Sequence, residues 1–241
     1  MPLKPGEVVA DSGRFDQRIR LLVPRYDEFH QAVLRSIPPE FKGSVRVLEL
    51  GCGTGELTQR LLERFPYAQV YAVDYSAKML AVARHKLAAH ADRLQLIEGD
   101  FNVVELPPQL DLVLSTLAIH HLTDPDKLRL FQRVFQHLSE GGWFVNGDAV
   151  LFESVHHEYL HQVVRREHAE AQNMTLEALA QQLEEQGHDH PATLIHQLHL
   201  LQAAGFSVVD VIWKYYSLAV FGGFKGKLPA LPTDPSLTFA Y

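Results

Sequence analysis

Residues 47–55, VLELGCGTG, carry an apolar strand directly into three glycines at alternate positions, Gly51, Gly53 and Gly55. The run LTQRLLERF that follows has helical spacing, so strand, glycine turn and helix succeed one another without a linker. Glycines at such a turn let a ligand lie against bare backbone at the start of the helix. The pattern departs from the dinucleotide fingerprint. Its third glycine comes one residue early, and Glu56 stands where that fingerprint has a glycine packed near a pyrophosphate. A ligand without a pyrophosphate is expected.

Outward from this turn, QVYAVDYS reads as a second strand ending at Asp74, an acid about 20 residues past the glycines and so placed to accept from ribose hydroxyls. LQLIEGDF reads as a third strand ending at Asp100, whose carboxylate could accept from an exocyclic amine such as that of adenine. Helix-like stretches at 56–65, 76–90 and 125–138 alternate with strand-like stretches at 46–50, 69–73, 94–98, 111–115 and 143–149. That alternation implies an α/β parallel sheet with right-handed crossovers. Before it, FDQRIRLLVPRYDEFHQAVLRS has helical spacing on either side of Pro24, which predicts two short helices able to close over a ligand.

With 241 residues and 46% hydrophobic content, the chain has enough apolar material for one such core plus a subdomain. A formal charge of −7, with Arg165 and Arg166 the only adjacent basic pair, disfavours a nucleic-acid partner, because binding a phosphate backbone needs clustered cations. No apolar run suggests export or membrane insertion. The single cysteine, Cys52, excludes an intrachain disulfide and suits a reducing, cytoplasmic setting; inside the glycine turn it reads as a small thiol packed under the ligand.

The motifs ELGCGTG, DYSAKML, EGDF, DLVLSTLAIHHL and LSEGGWFV, in that order, resemble those of class I S-adenosylmethionine-dependent methyltransferases, and the resemblance covers residues 15 to 225 or so. It implies a Rossmann-like seven-stranded methyltransferase sheet with S-adenosyl-L-methionine as cofactor. On that resemblance Glu49, Gly51 and Gly53, with Cys52 beneath them, would hold the methionine end and Asp74 the ribose. Tyr75 and Met79 would flank the adenine, Asp100 and Phe101 would bind its edge, and Ser115 and Thr116 would lie beneath the sulfonium.

Past Asp148 the strict alternation stops. Residues 151–187 read as two helices, LFESVHHEYLHQVVRREHAE and TLEALAQQLEEQ, taken as an inserted lid, and a third helix begins near Pro191. SVVDVIWKYYSLAVF suits the antiparallel pair that completes the sheet in this family, and the tail LPALPTDPSLTFAY is too proline-rich for a regular element. The expected organisation is an N-terminal helical cap (1–45), a cofactor-binding core (46–150), a helical lid insertion (151–190) and a C-terminal helix, strand pair and tail (191–241).

FDQRIRLLVPRY, the lid and AGFSVVDVIWKYYSLAVFGGFK look like the branch that contains carboxy-S-adenosylmethionine synthase, whose V-P-x-Y tyrosine contacts the cofactor and carries over to Tyr26. That branch needs a lid arginine to pair with an extra carboxylate, and residues 167–213 contain neither Lys nor Arg. An ordinary methyl donor is expected instead, with a small-molecule acceptor that is neutral or cationic. His120, after strand four, is the first candidate for a general base, and Asp148, ending strand five, for a group that orients a hydroxyl or amine.

Two readings of other classes stand beside this one. His157-Glu158-Tyr159-Leu160-His161 matches H-E-x-x-H, with His168 on nearly the same helical stripe, as a zinc hydrolase would require. Two histidines on a mobile helix make only a weak surface site, so no metal is expected. The third reading is a cofactor-binding protein that does not catalyse.

Overall fold

In the computed structural model, residues 14–38, 41, 43–174 and 189–227 are described. Two short helices, α1 (Phe15–Leu22) and α2 (Tyr26–Arg35), precede the first strand, separated at Pro24 as the periodicity predicts. The core follows as β1 (Arg46–Leu50), α3 (Glu56–Arg64), β2 (Gln69–Asp74), α4 (Ala77–Lys86), β3 (Leu94–Glu98), β4 (Leu110–Thr116), α5 (Asp124–His137) and β5 (Leu138–Ala149). Then come α6 (Val155–Ala171), α7 (Leu194–Ala204), β6 (Val208–Tyr215) and β7 (Leu218–Phe224). The second helix expected in the insertion and the proline-rich tail lie outside the described residues.

The seven strands form one sheet in the order β3-β2-β1-β4-β5-β7-β6. Strands β1 to β5 pair in parallel, and β7 runs antiparallel to both β5 and β6. The strand order reverses at β1 and β4, and ligands bind outside the carboxyl ends at such a switch point.

Alternation along the strands divides the core. Val47, Leu112, Leu114 and Val145 pack with Phe29 and Val33 of α2 and Leu57 and Leu61 of α3. Leu48, Leu50, Val113 and Phe144 pack on the other face with Leu130, Phe131 and Val134 of α5 and Leu201 of α7. Both faces of β1, β4 and β5 are covered, which is why these strands read as nearly continuous apolar runs. No helix among the described residues is long and apolar enough to cross a membrane.

Candidate active site

At the switch point the strand ends open into a cavity of about 480 Å³. One wall is the glycine turn. All its glycines have positive φ, but two of them serve different ends. A β-carbon on Gly51 would come within 2.3 Å of the Ala118 Cβ, whereas one on Gly53 would meet nothing within 4 Å. Gly51 lets the β4 loop close against the turn, and Gly53 leaves bare backbone facing open space.

Beside it Asp74, at the end of β2, accepts from the backbone N–H of Gly53 and of Ser76, each at 2.8 Å. The cap of α4 is Ser76, whose hydroxyl accepts from Met79 N, so Asp74 is not consumed as that helix's cap. Burial raises the Asp74 pKa despite the two backbone bonds. Glu49, at 1% exposure, accepts from the Thr58 hydroxyl at 2.6 Å, and burial, with Asp74 near it, pushes its pKa up to about 8. Tyr26, Cys52, Tyr75, Met79, Phe101 and Thr116 also line the cavity. Burial holds Cys52 as a thiol, its pKa well above the usual value.

Two expected cofactor residues are placed otherwise. Ser115 is fully buried and its hydroxyl donates to the Leu50 carbonyl at 2.9 Å, so it staples β4 to β1 and does not line the cavity. Asp100 accepts from Asn102 N at 2.9 Å and closes the turn after β3; Phe101 beside it is the residue that reaches the cavity wall.

On the opposite wall, His120 sits in the 3-10 turn Ile119–His121 after β4. Its Nδ1 lies 2.5 Å from Asp148 Oδ1, and its backbone N–H donates to Asp148 Oδ2 at 2.9 Å. Asp148 also accepts from Ala149 N and from the Asn146 amide, is fully buried, and does not line the cavity. It therefore orients His120 and touches no ligand itself. The N-cap of α6 is Ser154, so Asp148 has no capping duty there. Burial favours the neutral His120 ring, but the Asp148 carboxylate, with Asp189 behind it, outweighs this and raises the pKa.

Asp189 carries no signal in the sequence pattern, yet it lines the cavity with Oδ2 3.6 Å from His120 Nε2 and Oδ1 2.7 Å from His121 Nδ1. His120, His121 and Asp189 bring ligand-capable atoms within 4.8 Å of one another. Asp189 Oδ1 is within hydrogen-bond distance of His121 Nδ1, whereas its Oδ2 at 3.6 Å from His120 Nε2 is beyond it and acts on that ring through charge alone. Leu117, between Thr116 and this turn, takes a left-handed conformation, φ 49°, uncommon for a leucine.

The H-E-x-x-H histidines separate. His161 lines the main cavity, with Nε2 2.9 Å from the Ser217 hydroxyl, while exposed His157 lines a shallow depression with Phe152 and Lys214. Glu158 and Arg165 share the main-cavity face of α6 with His161. Arg165 lies just before the cation-free stretch 167–213 and stands on the cavity wall.

Residues 47–142 match the family described as "Methyltransferase domain". An uncharacterized methyltransferase of Geobacillus sp. (strain WCH70) is 32% identical, over 80% of this chain and 82% of its own length. The chain belongs to the S-adenosylmethionine-dependent methyltransferases. The carboxy-S-adenosyl-L-methionine synthase of Campylobacter lari is 22% identical over 88% of this chain and 90% of its own. Among solved structures, human N-acetylserotonin methyltransferase in complex with SAM superposes with a TM-score of 0.62 at 19% identity, over 92% of this chain and 58% of that one. PigF with SAH gives 0.63 at 17%, over 92% and 60%. At such identities these two structures show the fold alone, and this chain spans less than two thirds of each.

The methyltransferase's cavity fits S-adenosylmethionine on its own terms. The bare backbone at Gly53 opens space beside Asp74, whose oriented carboxylate keeps lone pairs for a ribose diol. Buried Glu49, ionised by a partner cation, suits the methionine ammonium, and Met79 and Phe101 supply apolar walls for a purine.

Proposed function

We propose that this methyltransferase acts on a small molecule held between the strand ends and α6, and that His120, oriented by Asp148, receives the proton the acceptor loses. The observation that carries the reading is the 2.5 Å contact from His120 Nδ1 to a fully buried carboxylate. With the proton on Nδ1 donated to Asp148, Nε2 is left as the basic atom on the cavity side. When bound, S-adenosylmethionine supplies a methyl group on a sulfonium that needs no further activation. The chain's part is then to hold the acceptor, exclude water and accept a proton at Nε2, the last being worth about 10²- to 10⁴-fold.

In this reading α6 forms a lid over the acceptor, supported by Glu158, His161 and Arg165 on the cavity wall. A small acceptor in place of a nucleic acid is supported by the charge of −7, and a cytoplasmic setting by the lone buried thiol of Cys52. The test is a panel of small phenols, thiols and amines with radiolabelled donor, run on the wild type and on His120→Gln. The expected result is product from a subset of the panel with the wild type only, while S-adenosylhomocysteine binding is equal in both. Equal turnover in both proteins would remove His120 from the mechanism, and no product with any acceptor would favour the non-catalytic reading.

A further inference from the structure

On the α6 side of the cavity stands a guanidinium, that of Arg165, with no acceptor among the described residues. Arg165 is half-buried on the cavity face of α6, one turn on from His161, and makes no hydrogen bond or ion pair with any described group. The carboxylate it senses is Glu158, about two turns away, whose Oε1 already accepts from Gln162 Nε2 at 2.8 Å. The cavity's other arginine, Arg18, is not free; of those that do not line it, Arg20 and Arg60 pair with Glu56, and Arg133 donates to the carbonyls of Phe101, Asn102 and Val104. A guanidinium presents five donors in a fixed fork, and removing it from water without an acceptor is unfavourable. Burial accordingly lowers the Arg165 pKa, and Glu158 only partly offsets it.

We propose that Arg165 is the recognition residue for a carboxylate carried by the methyl acceptor. The fork geometry matches a carboxylate in bidentate fashion. A monoanion fits this wall better than a phosphate dianion, because Glu158 and Asp189 face the cavity beside Arg165. His161 does not add to that charge: burial, then the nearby Arg165, push its pKa down to about 4, so it stays neutral and holds Ser217. The acceptor would then be anchored at α6 by its acid while its nucleophilic atom lies toward His120. This assignment rests on the proposed function, since it presupposes that the α6 side of the cavity is the acceptor side.

The test needs no turnover. Protein saturated with S-adenosylhomocysteine is titrated with benzoate, cinnamate and indole-3-acetate, and with the amide of each, using wild type, Arg165→Ala and Arg165→Lys. The expected result is that at least one acid binds wild type more tightly than its amide, and that Arg165→Ala weakens it by about tenfold or more, one charge-assisted pair. Arg165→Lys should restore part of the loss, and S-adenosylhomocysteine affinity should be equal in all three proteins, which also shows that the variants fold. If no acid outbinds its amide, or if Arg165→Ala leaves the preference intact, the assignment is overturned. If Arg165→Ala instead weakens S-adenosylhomocysteine, the guanidinium serves the donor's own carboxylate and the assignment is again overturned. Acid binding through Arg165 in a protein that methylates no member of the phenol, thiol and amine panel would count against the proposed function while leaving the carboxylate site standing.

Discussion

Asp148 reaches His120 twice, through the ring and through the backbone N–H, and so fixes both the tautomer and the turn that carries it. The raised His120 pKa gives pH dependence a definite sign. A base works only when neutral, so kcat should rise with pH along a limb lying above 6.5, the ordinary histidine value. Asp148→Asn should move that limb to lower pH and reduce the plateau, measured as a pH–rate profile on any acceptor that emerges. An unmoved limb would assign the titration to another group. Because the folded pKa is the higher one, the pair's contribution to stability is present below about pH 6.5 and is lost as pH rises through the folded value. The glycines can be separated by substitution. Gly51→Ala, with the Ala118 clash and positive φ, should destabilise the fold by about 1–3 kcal/mol, whereas Gly53→Ala should cost about 1 kcal/mol of backbone strain and act mainly on donor affinity. Calorimetric melting and donor titration on the two variants distinguish these effects.

At the scale of elements, α1 is held by charge more than by burial. None of its residues is buried, yet Phe15, Ile19 and Leu22 line the cavity. Asp16 takes the Lys86 ammonium and the Thr54 hydroxyl, each at 2.5 Å, and Arg20 pairs with Glu56. Such partly exposed pairs contribute about 1 kcal/mol or less each and weaken with salt. Asp16→Ala should therefore speed hydrogen exchange across residues 15–22 and weaken donor binding several-fold while barely moving the melting temperature; unchanged exchange would show that α1 is anchored some other way. The helix was legible from its 3.6 period around Pro24, but its partners were not, because ion pairs between distant segments leave no local pattern. The same holds for α6. Its existence followed from the sequence between Leu151 and Glu170, and the step from His161 to Arg165 is a helical i, i+4 interval that signals a shared face.

Over the whole molecule, a run of strand-end groups at one sheet edge was readable because each strand is a short apolar run ending in a polar or glycine residue, and chain order maps onto sheet order in a doubly wound fold. Burial direction was less readable. Ser115 and Thr116 are neighbours on one strand, and alternation sends one hydroxyl into the sheet and the other to the cavity. Asp189, near the end of the insertion, depends on tertiary closure alone. Glu49 links the site to global stability. With a folded pKa of about 8 against an ordinary 4.5, the native state retains a proton that the unfolded chain has released, so stability falls as pH rises across that window. Glu49→Gln should flatten the fall, read from denaturant unfolding between about pH 5 and about pH 9; an unaltered slope would place the effect elsewhere.

The most direct test of the division between a donor wall at Asp74 and an acceptor wall at His120 is isothermal titration of S-adenosylmethionine and S-adenosylhomocysteine. It would be run on the wild type, Asp74→Ala and His120→Ala. The account predicts micromolar binding to the wild type, its loss in Asp74→Ala and its retention in His120→Ala. Equal loss in both variants, or wild-type affinity in Asp74→Ala, would contradict it.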